Sequence, residues 1–341
     1  MSLRSWVTRW WAGEAGAAGR VLDAALLPAE YLFRGGVALR NRAFDRGLLE
    51  VRRVGVPVIS IGNIGVGGAG KTPFAAWMAA RLVRWGRRPA IALRGYGEDE
   101  VLLHRELNPE VPVFAAARRV EAAREAIAGG CDVIVLDDAF QHRRLGRDLD
   151  LVLVPVEGWS PAPRVLPRGP WREDLGALAR ADGVVLTRKT ARPARSREVA
   201  AELSLLAPGK PVVECYLAPH RLAPLHGGAG VEPGALAGRS VLAVAALATP
   251  GAFLENLRLC GAEVEAALFD DHHPFTPGEA RAVAARAAGR ALVMTHKDAV
   301  KLRPLLPDAV EAYVLEQTVT IDRGMEALDA ALRGALEGRG R

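Results

Sequence analysis

The chain of 341 residues contains little cysteine and little lysine. Its three cysteines are scattered, without a Cys-x-x-Cys pair or a histidine cluster at zinc-ligand spacing. This pattern excludes a disulfide scaffold and a zinc finger, and it fits a reduced protein on the cytosolic side. Of the 45 basic residues, five are lysines: Lys71, Lys189, Lys210, Lys297 and Lys301. In so arginine-rich a chain, a lysine within a motif points to a place where a guanidinium does not replace an ammonium.

Long hydrophobic runs are also absent. No window reaches the roughly 20 apolar residues that a spanning helix needs, and the first residues lack the continuous apolar stretch of a signal peptide. Half of the residues are hydrophobic and a quarter are charged, which excludes a disordered or fibrous chain. We therefore expect a globular protein that does not span a membrane but is able to lie on one.

The charge is positive and unevenly distributed. Basic residues outnumber acidic ones by 45 to 39, and residues 1–53 hold nine arginines against five acids. This excess favours anionic partners, namely phosphate esters, nucleic acid or an acidic membrane surface. Residues 3–11 form an apolar helical stripe from Leu3, Trp6, Val7, Trp10 and Trp11. Such a helix suits the headgroup region of a bilayer, although a helix packed on the protein body shows the same pattern.

From Val54 onward, apolar strand-like segments alternate with helical ones. Runs such as 56–61 and 132–136 are almost continuously apolar, which is typical of parallel strands buried on both faces. This predicts an α/β fold with a mostly parallel sheet and helices on both faces. A segment rich in Gly and Pro, 222–238, then precedes a second, smaller α/β unit. The expected parts are an N-terminal amphipathic helical segment 1–50, a nucleotide-binding domain 51–215 and a smaller C-terminal domain 216–341.

The strongest local signal is a glycine-rich loop after the first strand. Residues 65–72 match Gly-x-x-x-x-Gly-Lys-Thr, with a strand before them and an amphipathic helix after them. The glycines allow backbone N–H groups to surround phosphate oxygens, and the helix N-terminus adds the positive end of its dipole. Lys71 is expected to reach the β- and γ-phosphates, and the Thr72 hydroxyl to bind Mg²⁺. The expected nucleotide-binding residues of this loop are Gly65, Val66, Gly67, Gly68, Ala69, Gly70, Lys71 and Thr72.

A second signal is an apolar strand that ends in two acids, Asp137 and Asp138. This is the Walker B pattern, and a carboxylate at the carboxyl end of a parallel strand is well placed to hold Mg²⁺, directly or through water. The pattern is weak alone but strong beside the phosphate loop. Because no Asn-Lys-x-Asp guanine signature occurs, the two motifs together predict a site for ATP and Mg²⁺.

Two further clusters of titratable residues follow strand-like runs. The tract 94–100 brings three acids and an arginine after the strand 89–93, and it contains either a proton acceptor or a solvated acidic turn. The tract 270–273, Asp-Asp-His-His, follows the strand 263–269. It is a metal-ligand pair, a solvated loop or a group that orients a base, and the residues alone leave these alternatives open.

Taken in order along the chain, several tracts resemble the tetraacyldisaccharide 4′-kinase family, the lipid A 4′-kinases of Gram-negative bacteria. The phosphate loop alone is generic, whereas the tract around Asp-Asp-x-Phe-Gln-His-Arg-Arg is specific to this family, and the likeness runs almost from end to end. The matching tracts are 26–47, 56–73, 93–97, 135–154, 165–173, 269–276 and 295–302.

This resemblance implies transfer of the γ-phosphate of ATP to the 4′-hydroxyl of a tetraacyldisaccharide 1-phosphate in lipid A biosynthesis. It implies a P-loop NTPase-like fold with the active site in the cleft between two α/β domains. It also implies a peripheral protein on the cytoplasmic face of the inner membrane, with membrane contact through the N-terminal helices because the acceptor carries four acyl chains. We expect a monomer that binds no nucleic acid, since no basic patch is interleaved with aromatics over a sheet.

By matching motif, the resemblance also implies roles for single residues. Lys71 is catalytic, Asp99 looks like the catalytic base and His272 looks like the partner that orients it. Arg119 and Arg172 are expected at the phosphates. The residues expected to serve the metal are Thr72, Asp137, Asp138, Glu100 and Glu173.

The chain departs from the family pattern at several positions. Glu98 stands where a glycine is expected just before Asp99, which bears on the alignment of the proposed base. The other departures are Gly65 for a hydroxyl residue, Ala69 for Ser or Thr, Ala139 for Gly, Asp270 for Pro and His296 for Glu. None of them removes a group that the expected mechanism requires.

An alternative from another class is a switch-type P-loop ATPase that acts on a protein or metal partner. Its phosphate loop and its Asp-Asp strand would look the same. The tract 269–276 in the second domain and the tryptophan-rich N-terminal segment favour the kinase, because a switch does not need them.

Overall fold

The computed structural model describes residues 3–95 and 98–338. Across these residues helices and strands alternate as the sequence predicts. The helices are α1 Leu3–Trp11, α2 Gly16–Ala25, α3 Leu27–Asp45, α4 Lys71–Arg84, α5 Glu98–Leu107, α6 Arg119–Ala128, α7 Pro193–Leu206, α8 Gly251–Leu259, α9 Pro277–Ala287, α10 His296–Leu302 and α11 Met325–Glu337. The strands are β1 Val58–Asn63, β2 Pro89–Leu93, β3 Val113–Ala115, β4 Val133–Asp137, β5 Leu149–Pro155, β6 Gly183–Arg188, β7 Val212–Pro224, β8 Ser240–Ala245, β9 Glu263–Leu268, β10 Ala291–Met294 and β11 Ala312–Arg323.

The chain divides into two compact units. The larger unit contains Arg9–Tyr216 and the segment from Val319 onward, and the smaller unit contains Leu217–Thr318 and the segment that ends at Thr8. This division differs from the expected one at both ends of the chain. Helices α2 and α3 belong to the larger unit, and so does α11, because Asp329 on α11 forms an ion pair with Arg81 on α4.

The larger unit is built on a parallel sheet. Its strands follow the order β3-β2-β4-β1-β5-β6-β7, and each neighbouring pair from β3 to β7 is parallel. Strands β1, β2, β4 and β6 are buried along their whole length, which explains why their sequences are continuously apolar. The predicted mostly parallel α/β fold is confirmed. Because the strands are parallel, the residues that follow β1, β2, β4 and β6 meet at one edge of the sheet.

Gly62 explains how closely the segments at this edge approach each other. A Cβ atom on Gly62 would lie 2.5 Å from the backbone nitrogen of Phe140, the third residue after β4. Because Gly62 has no side chain, the chain after β4 passes directly beside the end of β1, just before the phosphate loop.

In the smaller unit the strand order is β7-β11-β10-β8-β9, with β10 parallel to both β11 and β8 and with β8 parallel to β9. Helix α9 begins with a capping box between Thr276 and Glu279, and α10 begins at the cap residue Thr295. The buried Asp298 carboxylate accepts hydrogen bonds from Thr295 and from the backbone N–H of Ala246, so it fastens α10 to the segment after β8.

Over the part of the chain that the structure describes, no helix is both long enough and apolar enough to cross a bilayer.

Candidate nucleotide and phosphoryl-transfer site

The glycine-rich loop lies between β1 and α4 in the larger unit. Gly70 caps α4 in a left-handed conformation, with φ of +81°, which favours glycine because it lacks a Cβ. It also has no side chain to accept hydrogen bonds from the first N–H groups of α4. These N–H groups and the helix dipole suit the start of α4, where Lys71 is the first residue, to the binding of an anion.

Two side chains from the end of β6 hold the loop in place. The Thr187 hydroxyl donates to the carbonyl oxygen of Ala69 at 3.0 Å, and the Lys189 ammonium donates to that of Gly68 at 2.5 Å. These two hydrogen bonds direct the carbonyl oxygens of Gly68 and Ala69 to the end of β6. Sequence reasoning missed both residues, although Lys189 is one of the five lysines.

The segment that carries Lys189 is itself fixed by a carboxylate. One oxygen of Glu157 accepts hydrogen bonds from the backbone N–H groups of Lys189, Thr190 and Ala191 at 2.7, 2.8 and 3.0 Å. Burial opposes the charge on Glu157, but these three donors outweigh it and lower the pKa of its carboxyl group. Glu157 therefore remains an anion that orders the turn after β6.

Asp138 lies at the centre of the site. Its Oδ1 atom lies 3.5 Å from Nζ of Lys71 and 3.2 Å from Nη1 of Arg172, so the structure brings these three predicted residues together. Burial alone would raise the pKa of Asp138, but the charges of Lys71, Arg172 and Arg119 lower it below its ordinary value. Asp138 is also held at φ of +49°, a strained backbone conformation for a residue with a side chain.

Asp137, the last residue of β4, is buried. Its Oδ2 atom lies 3.0 Å from Nε2 of His104 on α5, and its Oδ1 atom has no hydrogen-bond partner among the described residues. A buried carboxylate oxygen without a donor is costly unless a ligand satisfies it. Mg²⁺ prefers oxygen ligands, so Asp137 and Asp138 at one strand end fit the predicted metal.

Arg119 has another set of contacts than expected. Its side chain is buried, and Nη2 donates to the carbonyl oxygens of Asp137 and Asp138 at 2.9 and 2.8 Å. Burial lowers the pKa of its guanidinium, and the charges of Asp138 and Asp137 partly offset this effect. Arg119 thus braces the end of β4, and its predicted phosphate contact stays a prediction.

Glu173, which is expected at the metal, is bound by side chains of the protein. Its buried carboxylate accepts hydrogen bonds from Arg180 at 3.1 Å and from the Asn41 side chain at 2.7 Å, so protein donors already engage both oxygens. Asn41 lies on α3, 132 residues away in sequence, and no motif signals this contact. Glu173 therefore fastens the segment of Arg172 to α3, and its predicted role at the metal stays a prediction.

Asp99 and Glu100 lie in the first turn of α5, which follows β2 at the same sheet edge. Two members of the matching tract, Tyr96 and Gly97, lie outside the described residues. The predicted roles of Asp99 and Glu100 stay predictions.

The Asp-Asp-His-His tract belongs to the smaller unit. Nζ of Lys297 lies 3.0 Å from Nε2 of His272 and 3.2 Å from Oδ1 of Asp271, and His272 adopts a left-handed φ of +61°. An ammonium only donates, so we assign Nε2 of His272 as the acceptor and Nδ1 as the nitrogen that carries hydrogen.

The neighbouring His273 has different partners. Its Nε2 atom lies 3.0 Å from Oε1 of Glu279, and its ring lies 5.0 and 5.2 Å from the rings of Phe269 and Phe275. The two histidines are thus used separately, which argues against a metal-ligand pair. No group of three or more metal-binding side chains occurs within 3–95 and 98–338.

Comparison with known proteins agrees with these observations. The family model of tetraacyldisaccharide-1-P 4′-kinase matches residues 22–337. The tetraacyldisaccharide 4′-kinase of Anaeromyxobacter dehalogenans (strain 2CP-C) is 42% identical, with 95% of this chain and 93% of that protein aligned. The enzyme of the same name from Chlorobium luteolum is 34% identical over 93% of this chain and 99% of that protein.

A solved structure is similar over the same extent. The structure of LpxK from Aquifex aeolicus, in complex with ATP, has a TM-score of 0.73 and 30% identity, with 92% of this chain and 99% of that chain covered. The resemblance inferred from the motifs is therefore confirmed, and the chain belongs to the tetraacyldisaccharide-1-P 4′-kinase family.

Proposed function

We propose that this protein transfers the γ-phosphate of ATP to the 4′-hydroxyl of a tetraacyldisaccharide 1-phosphate, with Mg²⁺ as cofactor. The observation that carries the proposal is the cluster of Lys71, Asp138 and Arg172 at the N-terminus of α4. It occurs in a chain that matches the kinase family over residues 22–337.

The phosphate loop supplies binding and charge neutralisation. Backbone N–H groups at the start of α4 hold phosphate oxygens, while Lys71 and Arg172 offset charge that develops during transfer. Thr72, Asp137, Asp138 and Glu100 are the residues proposed to hold the metal, which supplies positive charge at the β- and γ-phosphate oxygens when bound.

Asp99 is proposed to accept the proton of the attacking hydroxyl, and His272 to act in the same proton-transfer pair. Support for His272 comes from its own unit, where the Lys297 ammonium lies 3.0 Å from Nε2 of the imidazole and fixes the position of the ring.

We further propose that α2 and α3 contact the cytoplasmic face of the inner membrane, which makes the protein peripheral. Val21, Tyr31, Leu32 and Leu39 are each at least 67% exposed, an arrangement that suits the interface of a bilayer.

Two tryptophans of the N-terminal stripe are used differently. Trp10 is buried and donates to the carbonyl oxygen of Gly19, and Trp11 donates to that of Pro167. They hold α1 and α2 to the protein, as in the packed-helix alternative. The proposed membrane contact therefore depends on the exposed side chains of α2 and α3.

The test measures transfer of labelled γ-phosphate from ATP to a tetraacyldisaccharide 1-phosphate in detergent micelles. We expect lipid product from the wild type, at least a hundredfold less from Lys71→Ala, and wild-type rates from the matched control Lys210→Ala, whose side chain is outside the site. Thermal melting of each variant checks that it is folded. ATP hydrolysis without lipid product would contradict the proposal and favour a switch-type ATPase.

A further inference from the structure

His104 is a buried histidine that belongs to none of the motifs. It lies on α5, its side chain is 0% exposed, and its Nε2 atom lies 3.0 Å from Oδ2 of Asp137. A carboxylate oxygen accepts and an imidazole N–H donates, so Nε2 is the donor in this hydrogen bond. Its other nitrogen, Nδ1, has no hydrogen-bond partner among the described residues.

The orientation of α5 is set by His104 and by the residue that follows the helix. Asn108 comes directly after the last residue of α5, and its backbone N–H donates to the carbonyl oxygen of His104 at 3.0 Å. Asn108 donates to the carbonyl oxygen of Ala76 on α4 at 2.8 Å, and His104 contacts the end of β4. The helix is therefore fastened both to the helix that begins with Lys71 and to the strand that ends with Asp137.

These contacts leave Asp137 with one engaged oxygen and one unengaged oxygen. Arg119 holds the backbone carbonyl of Asp137, while His104 holds Oδ2. The rotation of the carboxylate is thereby restricted, and Oδ1 has no donor within the described part of the chain. An acceptor that is fixed and unsatisfied inside a protein is prepared for a cation.

We propose that His104 is a positioning residue that orients the Asp137 carboxylate for the magnesium ion of the nucleotide site. It acts through Asp137 and does not contact the nucleotide. The inference rests on the proposed binding of ATP and Mg²⁺ but not on the identity of the acceptor. It also explains why the buried polar pair of His104 and Asp137 occurs at the end of β4. Apolar residues would pack there without leaving unsatisfied polar atoms.

The alternative is a purely structural pair that stabilises α5. The two roles differ in what they predict for variants. If the pair is only structural, variants that destabilise α5 to the same extent should change metal affinity to the same extent. If His104 positions Asp137, metal affinity should instead depend on a hydrogen-bond donor at the position of Nε2. His104→Leu removes the donor, and His104→Gln places an amide N–H close to the same position. Leu103→Ala is the matched control, because it truncates a buried neighbour on the same helix whose aliphatic side chain cannot donate a hydrogen bond to Asp137.

The experiment measures Mn²⁺ binding to the protein–ADP complex by electron paramagnetic resonance, with no lipid present. We expect His104→Leu to raise the Mn²⁺ dissociation constant about ten- to a hundredfold, the range found for residues that orient metal ligands. His104→Gln should stay within about threefold of the wild type, and so should Leu103→Ala. ADP affinity in EDTA, followed with a fluorescent analogue, should change less than about threefold in all three. Equal losses in the Leu and Gln variants, or wild-type Mn²⁺ affinity in a folded Leu variant, would overturn the inference.

A second measurement does not depend on the folding of His104→Leu. In the wild type with ¹⁵N-labelled histidine, Mg²⁺ with ADP should shift the Nε2 resonance of His104, and ADP in EDTA should not. An unchanged resonance in the complex with metal would refute the positioning role. If the wild type binds Mn²⁺ with ADP but forms no lipid product, only the proposed acceptor is wrong; if it binds no metal with nucleotide, this inference fails as well.

Discussion

Glu30 is predicted to be the residue through which α3 stabilises the segment before Arg172. Its buried carboxylate accepts from Nε and Nη2 of Arg34 at 3.0 and 2.9 Å, from the backbone N–H of Val165 at 3.0 Å and from Nη1 of Arg168 at 2.8 Å. In Glu30→Gln, one oxygen becomes an NH₂ group that faces donors. We expect this change to destabilise the protein and to loosen the segment that carries Arg172.

The magnitude follows from the partners. Hydrogen bonds to charged groups contribute roughly 1.5–3 kcal/mol each, and breaking a buried pair costs about 3–5 kcal/mol. Arg34 and Arg168 are 35% and 18% exposed, so water compensates part of the loss. We therefore predict that Glu30→Gln lowers the free energy of unfolding by about 2–3 kcal/mol at pH 7.

The pH dependence has a defined sign. Burial opposes the charge on Glu30, but hydrogen bonds from Val165 and Arg34 outweigh it, and its pKa lies below the ordinary 4.5. The stabilisation is therefore complete above pH 4.5 and is lost as the pH falls through the folded-state pKa. The difference between wild type and variant should shrink below pH 4.5.

Urea denaturation followed by circular dichroism measures this difference at pH 7 and at decreasing pH. The matched control is Glu14→Gln, whose ion pair with Arg9 is more than half exposed and should contribute less than about 1 kcal/mol. A loss below 1 kcal/mol for Glu30→Gln, or a loss that does not change between pH 7 and pH 3.5, would refute the reasoning.

Three further predictions concern the site and its surroundings. On the proposal that Asp99 and His272 act as one unit, Asp99→Ala and His272→Ala should each lower kcat, and the double variant should lose less than the product of the single losses. Independent effects would contradict the proposed pair. Lys189→Met should raise KM for ATP about tenfold with little change in melting temperature, since it removes a charge-assisted hydrogen bond to the phosphate loop; an unchanged KM would contradict this role. Burial raises the pKa of Asp150 from 3.8 to about 6, despite the charge of Arg147. The folded state therefore binds the proton more tightly than the unfolded state does. As a result, the free energy of unfolding should fall by up to about 3 kcal/mol as the pH rises from about 4 to about 6. The difference in unfolding free energy between the wild type and Asp150→Asn should show this slope, and a flat profile would contradict it.

Much of the larger unit was predictable from the sequence, because its signals are local. Apolar runs marked β1, β2 and β4, and the phosphate loop and Asp137–Asp138 follow β1 and end β4. Parallel strands bring their carboxyl ends to one edge, so the contact between Lys71 and Asp138 follows from topology once both motifs are recognised.

The remaining features depend on contacts between residues distant in sequence. The pairing of Arg81 with Asp329 spans 248 residues, and it returns α11 to the larger unit against expectation. The contact of Asn41 with Glu173 has no motif on either side. His104 is a single histidine in a helix without a motif, and only the folded structure shows that its partner is Asp137.

The central claim is that ATP is consumed in order to phosphorylate a lipid acceptor. Its most direct test compares, in one reaction, the moles of ADP released with the moles of 4′-phosphorylated lipid formed. A kinase gives a ratio close to one with the tetraacyldisaccharide 1-phosphate present and little ADP release without it. Steady ADP release that neither requires the lipid nor yields a phosphorylated product would instead show an ATPase without this kinase activity.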